Sequence, residues 1–366
     1  MQEYLRAWVH LSSIVGFGPV TIQKILTKFS QPELFLALDS SSLHAFGCTP
    51  KQIKQITNKP TKLFTIVDQW CAGEFNNLIC FYDKEYPELL QQIAGAPPLL
   101  YIHGNMHAIK QQQIAIVGSR NPSHYGRRIA YDVAMQLATN RLGVCSGLAL
   151  GIDSCAHQGA IDVAGNTIAV MGCGLNQIYP ARNKQLAADI IAAGGAIISE
   201  FPPHIKPCAT NFPRRNRLVS GLSLGVVVIE AALKSGSLIT ANYAADQGRA
   251  VMAFPGSIYN ALSFGCHQLL REGAVLVRDV HDIFSELKLE IFISKQYFVN
   301  INIKNNSHDF LDKDCAQVLY ALECADLGVD AIVQLTGISA KQAMICLHKL
   351  KLAGKVIESF GVYQKK

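Results

Sequence analysis

The chain has 366 residues, of which 49% are hydrophobic and 16% charged, and its formal net charge is +6. This length allows two or three domains with a substantial core, and the composition excludes an intrinsically disordered chain. The weakly basic balance is compatible with an anionic partner but does not select one.

The eleven cysteines are odd in number, irregularly spaced and without a C-x-x-C pair. This usage favours reduced core thiols over a disulfide or zinc framework. The N-terminus carries an early Glu3 and no long apolar run, so it does not resemble a signal peptide. The longest apolar stretch, "LGVVVIEAAL", is too short to span a bilayer. We therefore expect a soluble, cytoplasmic protein with no membrane partner.

Residues 1–80 have the pattern of helices joined by short turns, and we predict an N-terminal helical domain there. The stretch "VGFGPVTIQKILTKF" places two glycines before an amphipathic helix. It resembles a helix-hairpin-helix or SAM-like unit, whose hairpin amides can contact a DNA backbone. A plain helical hairpin explains the same pattern and remains open.

Residues 81–289 show short apolar runs that alternate with helix-period stretches, which predicts strands joined by crossover helices. Strands that are apolar throughout are buried on both faces. We therefore predict an α/β fold with a Rossmann-like, doubly wound, mostly parallel sheet. The predicted strands are residues 114–117, 143–146, 167–171, 196–199, 225–229, 250–254 and 274–277.

The C-terminal residues 311–366 are predicted to form a separate small domain. Residues 290–310 break the alternation and become polar, which predicts a linker. Residues 311–366 contain three helical stretches followed by "KVIESFGVYQKK", which has the pattern of a β-hairpin. Three helices and a hairpin predict a winged helix, and "LTGIS" fits the turn of a helix-turn-helix.

The loops that follow the predicted strands are rich in glycine and share one edge of the sheet. Examples are "GSRNPSHYG", "SGLALGID" and "EAALKSGSLIT". Glycine lets the backbone approach a ligand, and helix N-termini add partial positive charge. This edge is therefore a candidate anion-binding surface.

Charge along the chain supports the same edge. No acidic residue lies between Glu88 and Asp132 or between Glu200 and Glu230, whereas both intervals are basic. The second interval contains "NFPRRNR", which places Arg214, Arg215 and Arg217 close together. Helical spacing predicts that Arg215 lies on a different side from the other two arginines, so at least one of the three is open to a structural role.

The pattern favours a polymeric phosphate chain over a single nucleotide. The first loop lacks G-x-G-x-x-G and the chain lacks a Walker motif, so dinucleotide binding and ATP hydrolysis are unsupported. Phe212 stands beside the arginines, and a basic groove with an aromatic residue is typical of sequence-tolerant single-strand binders. A core position for Phe212 remains an equal alternative.

Catalysis has little support in the sequence. Ser146, Asp153 and His157 invite a triad, but Asp153 and His157 are four residues apart on one helix and Ser146 is not on a G-x-S-x-G elbow. A helix-capping aspartate and a helical histidine, paired or not, explain them better. The histidines show no metal-ligand spacing, so we expect no catalytic residues, no metal and no cofactor.

Eight motifs in fixed order resemble the DNA-processing protein A family (DprA, also called Smf). They include "AIVGSRNPSHYG", "SGLALGIDSCAHQGA", "FPRRNRLVSGLS" and "GRAVMAFPG", and they cover roughly residues 80–285. The resemblance implies a protein without enzymatic activity that mediates recombination during natural transformation, or competence. Such a mediator binds and protects incoming single-stranded DNA, loads the RecA recombinase and forms a homodimer.

The resemblance also implies roles for particular residues. Its motifs point to DNA contacts at Gly118, Ser119, Arg120, Gly147, Arg182, Phe212, Arg214, Arg215, Asn216, Arg217, Ser235, Gly236 and Ser237. Dimer or RecA contacts are implied for Cys266, Leu269, Leu270 and Val275.

Two other functions remain open at this point. The first is a nucleotide or phosphoribosyl hydrolase on a Rossmann-like fold, although "SGSLITANYAA" carries no acid before Asp246. The second makes the winged helix the main DNA reader, although Lys341, Lys349 and Lys351 do not share one helix face. Hydrolysis of nucleoside monophosphates would support the first, and loss of DNA affinity on C-terminal truncation the second.

Overall fold

The computed structural model describes residues 2–291, 313–322, 327–359 and 361–365. Residues 2–122 and 129–291 form one compact unit, and residues 123–128 group with the residues from 313 onward in a second. Most of the predicted linker, 290–310, lies outside the described residues. The larger unit holds the sheet and the N-terminal helices together.

The larger unit is built on a single sheet of the strands β1 to β9. They are β1 (Asn76–Cys80), β2 (Leu99–Gly104), β3 (Gln113–Gly118), β4 (Gly143–Ser146), β5 (Thr167–Met171), β6 (Ala196–Ser199), β7 (Gly225–Ile229), β8 (Ala250–Ala253) and β9 (Val275–Leu276). Their order across the sheet is β1-β2-β6-β5-β4-β3-β7-β8-β9. The strands from β3 onward pair in parallel, whereas β1 and β2 are antiparallel additions at the β6 edge.

The strand order contains one reversal of winding, between β3 and β7. From β3 the chain steps outward through β4 and β5 to β6, then returns to the other side of β3 at β7 and steps outward through β8 to β9. In sheets of this kind the connections leave β3 and β7 toward opposite faces, which opens a crevice beyond their carboxyl ends. The fold alone therefore predicts where a ligand binds.

Helices cover both faces of the sheet. They are α7 (Glu88–Gln91), α8 (His124–Thr139), α9 (Ile152–Ile161), α10 (Lys184–Ala192), α11 (Asn211–Gly221), α12 (Gly236–Asp246), α13 (Phe264–Arg271) and α14 (Val280–Glu286). Successive residues of a strand face opposite sides of the sheet. In β3, Ile114 and Ile116 pack with α8, α9 and α14, whereas Ala115 and Val117 pack with α11 and α12. This alternation explains why the strands are apolar at every position.

The N-terminal helices pack on the antiparallel edge of the sheet. They are α1 (Glu3–Ser13), α2 (Pro19–Phe29), α3 (Pro32–Leu36), α4 (Ser40–Ala45), α5 (Pro50–Thr57) and α6 (Thr61–Cys71). Their apolar residues form one core with Leu78 of β1 and with Leu99 and Tyr101 of β2. The segment 1–80 is thus not wholly helical, because β1 occupies its end, and neither β1 nor β2 was predicted.

The smaller unit contains α15 (Lys313–Ala321), α16 (Val329–Thr336), α17 (Ala340–Leu352), β10 (Val356–Ser359) and β11 (Val362–Lys365). The two strands pair antiparallel, and Gly337 ends α16 in the left-handed conformation with φ of 70°. The predicted succession of helices and a hairpin is present. The winged-helix assignment and its role stay predictions.

The cysteines that the structure describes form no disulfide. Most are buried, as expected for core thiols, but Cys208 is exposed, and its hydrogen bonds with Thr210 lower the pKa of its thiol. Within the described residues, no helix combines the length and hydropathy that crossing a membrane requires.

Candidate functional site

A cleft of about 460 Å³ lies beyond the carboxyl ends of β3, β4 and β7, at the reversal of the sheet. This is the position at which doubly wound sheets bind ligands. Most of the residues predicted to contact DNA line it. They are Gly118, Ser119, Arg120, Gly147, Phe212, Arg215, Asn216, Ser235, Gly236 and Ser237.

Positive charge dominates the cleft. Arg120 and Lys234 are exposed side chains on opposite walls, and Arg215 lies at its floor. Neither Arg120 nor Lys234 has a hydrogen bond or ion pair with another described residue. Asp153 is the single acidic residue among the described lining residues, and it is buried. Lys234 was absent from the predicted set, although its place in the glycine-rich loop after β7 was a usable signal.

The N-terminus of α12 forms one wall of the cleft. Ser235 is its N-cap, and its Oγ accepts a hydrogen bond from the Ser237 amide at 3.3 Å. Asn216 fastens this wall to α11, because its Nδ2 donates to the Gly236 carbonyl at 3.2 Å. The free amides and dipole of a helix start favour an anion.

The β3 wall is fixed by backbone hydrogen bonds. The Ser119 amide donates to the Glu230 carbonyl at 2.7 Å, which joins the loops after β3 and β7. The Ser119 carbonyl accepts a hydrogen bond from the Ile152 amide at 3.1 Å, and the Ser119 side-chain Oγ accepts one from the Asn121 amide at 3.1 Å. These bonds hold Arg120 at the rim of the cleft while its side chain stays free to reach a ligand.

Arg215 is a buried clamp beneath the cleft rather than an exposed grip. The residue is 6% exposed, and its Nη1 donates to the carbonyls of Gly147 and Val170. A Cβ at Gly147 would lie 2.5 Å from that Nη1, so only glycine admits the guanidinium. Burial lowers the pKa of Arg215, and the Asp153 charge opposes this shift.

Asp153 holds the loop that follows β4. Its Oδ2 accepts hydrogen bonds from the amides of Gly147 at 3.0 Å and Ala149 at 3.2 Å. Burial raises the pKa of Asp153, whereas Arg215 and the two amides stabilise its charged form. Asp153 and Arg215 therefore position the same loop, one through its N–H groups and the other through a carbonyl.

Arg214 and Arg217 lie on the other side of α11, as the helical spacing predicts. Arg217 pairs with Glu200 and its side chain is 11% exposed, while Arg214 lies 3.8 Å from the same carboxylate and is 52% exposed. Arg214 also stacks over Phe201. The DNA contact stays a prediction for Arg217, whose side chain Glu200 neutralises in the interior. For Arg214, outside the cleft lining, it stays a prediction.

Phe212 is partly buried at the cleft and stacks against a second aromatic ring. Its centroid is 5.4 Å from that of Tyr179, with 31° between the ring planes. Gly172 makes room for it, because a Cβ there would lie 2.7 Å from Phe212 Cδ1. Phe212 thus lines the cleft and is not fully buried, and its contact with a base stays a prediction. Tyr179 was absent from the predicted set, although its place in the glycine-rich loop after β5, "GCGLNQIYPARN", was a usable signal.

The remaining predicted residues lie outside the cleft. Arg182 is exposed in the turn before α10. Leu270 and Val275 are partly buried, and Leu269 is buried at the base of surface hollows beside α13. Cys266 is 1% exposed and its Sγ donates to the Val228 carbonyl at 3.8 Å, and its contact with a partner stays a prediction.

Ser146, Asp153 and His157 do not form a triad. The Ser146 hydroxyl donates to the Ile116 carbonyl at 2.7 Å, and His157 Nδ1 bonds Thr167 Oγ1 at 2.7 Å, so Asp153 and His157 are not paired. Across the described ranges, no group of His, Cys, Asp or Glu side chains is placed to hold a metal ion.

The chain matches the family model described as DNA recombination-mediator protein A over residues 77–288. The matched region includes every residue that lines the cleft and makes up more than half of the chain. The chain belongs to the DNA recombination-mediator protein A family.

Curated members of the DNA recombination-mediator protein A family resemble the chain over long stretches. Protein Smf of Escherichia coli is 36% identical over 364 residues, which cover 97% of this chain and 94% of that protein. DNA processing protein DprA of Streptococcus pneumoniae is 42% identical over 229 residues, covering 62% of this chain and 80% of that protein. The first match includes both terminal regions.

Two solved structures of DNA processing protein A share the fold. The X-ray structure from Streptococcus pneumoniae has a TM-score of 0.65 at 35% identity and covers 78% of this chain and 98% of that chain. The structure from Helicobacter pylori, described for its single-stranded DNA binding mode, has a TM-score of 0.53 at 29% identity. It covers 58% of this chain and 95% of that chain. The Rossmann-like α/β fold of this family member is thereby confirmed.

Proposed function

We propose that this chain binds single-stranded DNA in the cleft and acts as a recombination mediator in natural transformation. The observation that carries the proposal is an open cleft at the sheet reversal, lined by Arg120, Lys234, a helix start and Phe212. Separate cations along one groove suit successive phosphates, and an aromatic face suits any base. The related Helicobacter pylori protein is described as binding single-stranded DNA.

The first experiment is a salt titration of the full chain with a fluorescent thymidine oligonucleotide. Because each phosphate contact releases counterions, the logarithm of the affinity should fall linearly with the logarithm of salt concentration. Arg120→Ala and Lys234→Ala should each weaken binding and make the slope shallower by roughly 0.7. The matched control Lys62→Ala removes an exposed charge on α6, outside the cleft, and should change neither quantity. Unaltered binding by both cleft variants would contradict the proposed site.

We further propose that the protein has no enzymatic activity. The alternative, a nucleotide or phosphoribosyl hydrolase, needs a carboxylate free to act on substrate. The acid in the described cleft lining, Asp153, is buried and already accepts two backbone hydrogen bonds. Purified protein should therefore release no base or phosphate from nucleoside monophosphates, and hydrolysis that Asp153→Asn abolishes would favour the enzyme.

Protection of incoming DNA and loading of RecA in the cytoplasm complete the proposal. Protection predicts that bound oligonucleotide resists an exonuclease, and that Arg120→Ala reduces this resistance. Loading predicts that the protein speeds RecA ATP hydrolysis on DNA pre-coated with a single-strand binding protein. Equal rates with and without the protein would argue against loading.

We propose that the protein forms a homodimer through the face that carries α13 and β9. The strand β9 pairs only with β8 in the described sheet, and Leu276 on it is 48% exposed. Two hollows of about 390 and 330 Å³ flank α12 and α13 and share Leu269 and Glu272. Leu276→Glu should convert the dimer to a monomer in light scattering, whereas the exposed control Leu34→Glu should not.

The C-terminal unit is proposed as a winged helix with a secondary role. Truncation before residue 305 should leave most of the affinity for single-stranded DNA, because the cleft lies wholly within the larger unit. A collapse of affinity in the truncated protein would instead make that unit the main DNA reader.

A further inference from the structure

Tyr179 is an exposed aromatic residue whose position the fold does not explain. It lies between β5 and α10, and 45% of its surface is exposed. Its hydroxyl has no hydrogen-bond partner among the described residues. Its ring does not line the cleft itself but stands next to a residue that does.

The contact between Tyr179 and Phe212 extends an aromatic surface outward from the cleft. The rings are 5.4 Å apart and inclined by 31°, an arrangement near that of an offset stack. Phe212 is partly buried and Tyr179 is exposed, so the pair runs from the cleft lining toward solvent. A base that stacks on Tyr179 would therefore follow directly after one that contacts Phe212.

The loop that carries Tyr179 is anchored at both ends. On its N-terminal side, the Gly174 amide donates to the Ile205 carbonyl at 2.8 Å. On its C-terminal side, Asn183 Nδ2 donates to the Leu148 carbonyl at 2.8 Å, which ties the loop to the cleft wall. Ile178 packs on the core beneath. A ring held in advance loses little conformational entropy when a base stacks on it.

A cation accompanies the ring. Arg182 is exposed three residues after Tyr179 and has no partner among the described residues. Single-strand binders combine an aromatic face for the base with a positive charge for its phosphate. We propose that Tyr179 is a second base-stacking platform, which takes the nucleotide adjacent to the one at Phe212 as the strand leaves the cleft. This inference rests on the proposed function, since it requires single-stranded DNA in the cleft.

The experiment compares binding of a thymidine oligonucleotide with binding of the same oligonucleotide made abasic throughout. Tyr179→Ala should weaken binding of the thymidine oligonucleotide about tenfold and leave binding of the abasic one unchanged, because only the first loses a stacked base. Tyr179→Phe should bind both like the wild type. The matched control is Tyr82→Ala, which removes a tyrosine that is 53% exposed and also makes ring contacts, with Trp8 and Phe81.

Two results would overturn the inference while leaving the proposed function intact. One is wild-type affinity of Tyr179→Ala for the thymidine oligonucleotide, and the other is an equal loss for both oligonucleotides, which would indicate a structural role. Failure of the wild type to bind the thymidine oligonucleotide would instead refute the proposed function and the inference with it.

A second measurement needs no variant: photocrosslinking of the wild type to an iodouracil oligonucleotide should label the peptide that contains Tyr179. Labels confined to other peptides would overturn the inference.

Discussion

Replacing Arg215 by alanine should unfold the protein more readily, because this arginine holds the floor of the cleft together. The change removes hydrogen bonds to the Gly147 and Val170 carbonyls and leaves Asp153 without its nearby positive charge. A hydrogen bond to a charged group contributes about 1.5–3 kcal/mol, and breaking a buried charge pair costs about 3–5 kcal/mol. Since these contributions overlap, we expect a loss of about 4 kcal/mol in the free energy of unfolding.

Urea denaturation followed by circular dichroism measures this loss. For a unit of this size, about 4 kcal/mol corresponds to a fall of roughly 10 °C in the melting temperature. Arg120→Ala is the matched control, because it removes an exposed arginine of the same cleft and should change stability by less than about 0.5 kcal/mol. Arg120→Ala should nevertheless weaken DNA binding, so the two variants separate folding from binding.

Gly147→Ala tests the contact between Arg215 and the Gly147 carbonyl without changing the arginine itself. The new Cβ would lie 2.5 Å from Arg215 Nη1 and would force the guanidinium out of its place. It should therefore destabilise the fold in the same direction as Arg215→Ala. If Arg215→Ala unfolded at the wild-type urea concentration and lost only DNA binding, Arg215 would be a phosphate grip and the clamp would be refuted.

Three further changes test other parts of the larger unit. Burial lowers the pKa of His157 from 6.5 to about 3. The contribution of the neutral side chain to folding stability is therefore complete above pH 6.5. It is lost as the pH falls toward 3, because the unfolded chain binds a proton there and the folded chain does not. Between pH 7 and pH 5 this one histidine should lower the free energy of unfolding by about 2 kcal/mol, and His157→Gln should remove that share of the slope in urea titrations. Gly172→Ala places a Cβ 2.7 Å from Phe212 Cδ1, so DNA affinity should fall about fivefold in anisotropy titrations while overpacking costs about 1–3 kcal/mol. Glu200→Gln removes the counter-charge of buried Arg217 and should cost about 3 kcal/mol of stability with DNA affinity unchanged.

Each of the three has an outcome that contradicts it. A pH slope as steep in His157→Gln as in the wild type would assign the effect to other groups. Wild-type DNA affinity in Gly172→Ala would mean that the ring of Phe212 does not contact DNA. Weaker DNA binding by folded Glu200→Gln would place the Arg217 pair within the binding site.

The sequence predicted the parallel part of the sheet well, because its strands are continuous apolar runs between glycine-rich loops. The predicted bounds of β4, β5, β6 and β7 coincide with the observed ones. The strands β1 and β2 escaped prediction because they join the sheet as an antiparallel pair beside the helical region, without a crossover helix to mark them. Their place depends on β6, which is about 95 residues away from β2 in the chain and so leaves no local signal.

The candidate site was predictable as an edge but not as a set of side-chain roles. Parallel strands bring their loops to one edge whatever the tertiary detail, so the glycines and Arg120 could be placed from the order of motifs. The roles of Arg215 and Arg217 depend on where Asp153 and Glu200 lie in space. Burial and partner choice of this kind are tertiary properties that periodicity does not encode.

The cations of this edge are therefore of two kinds that a sequence cannot distinguish, and the stretch "FPRRNR" contributes two of the buried kind. The buried kind is Arg215, which donates to protein carbonyls, and Arg217, which pairs with Glu200, so its positive charge is largely compensated within the fold. The exposed kind, represented in the cleft by Arg120 and Lys234, keeps its charge available for phosphates. Loss of binding on mutation of a buried arginine would thus report a displaced loop, and only a change in salt dependence at constant stability identifies a phosphate contact.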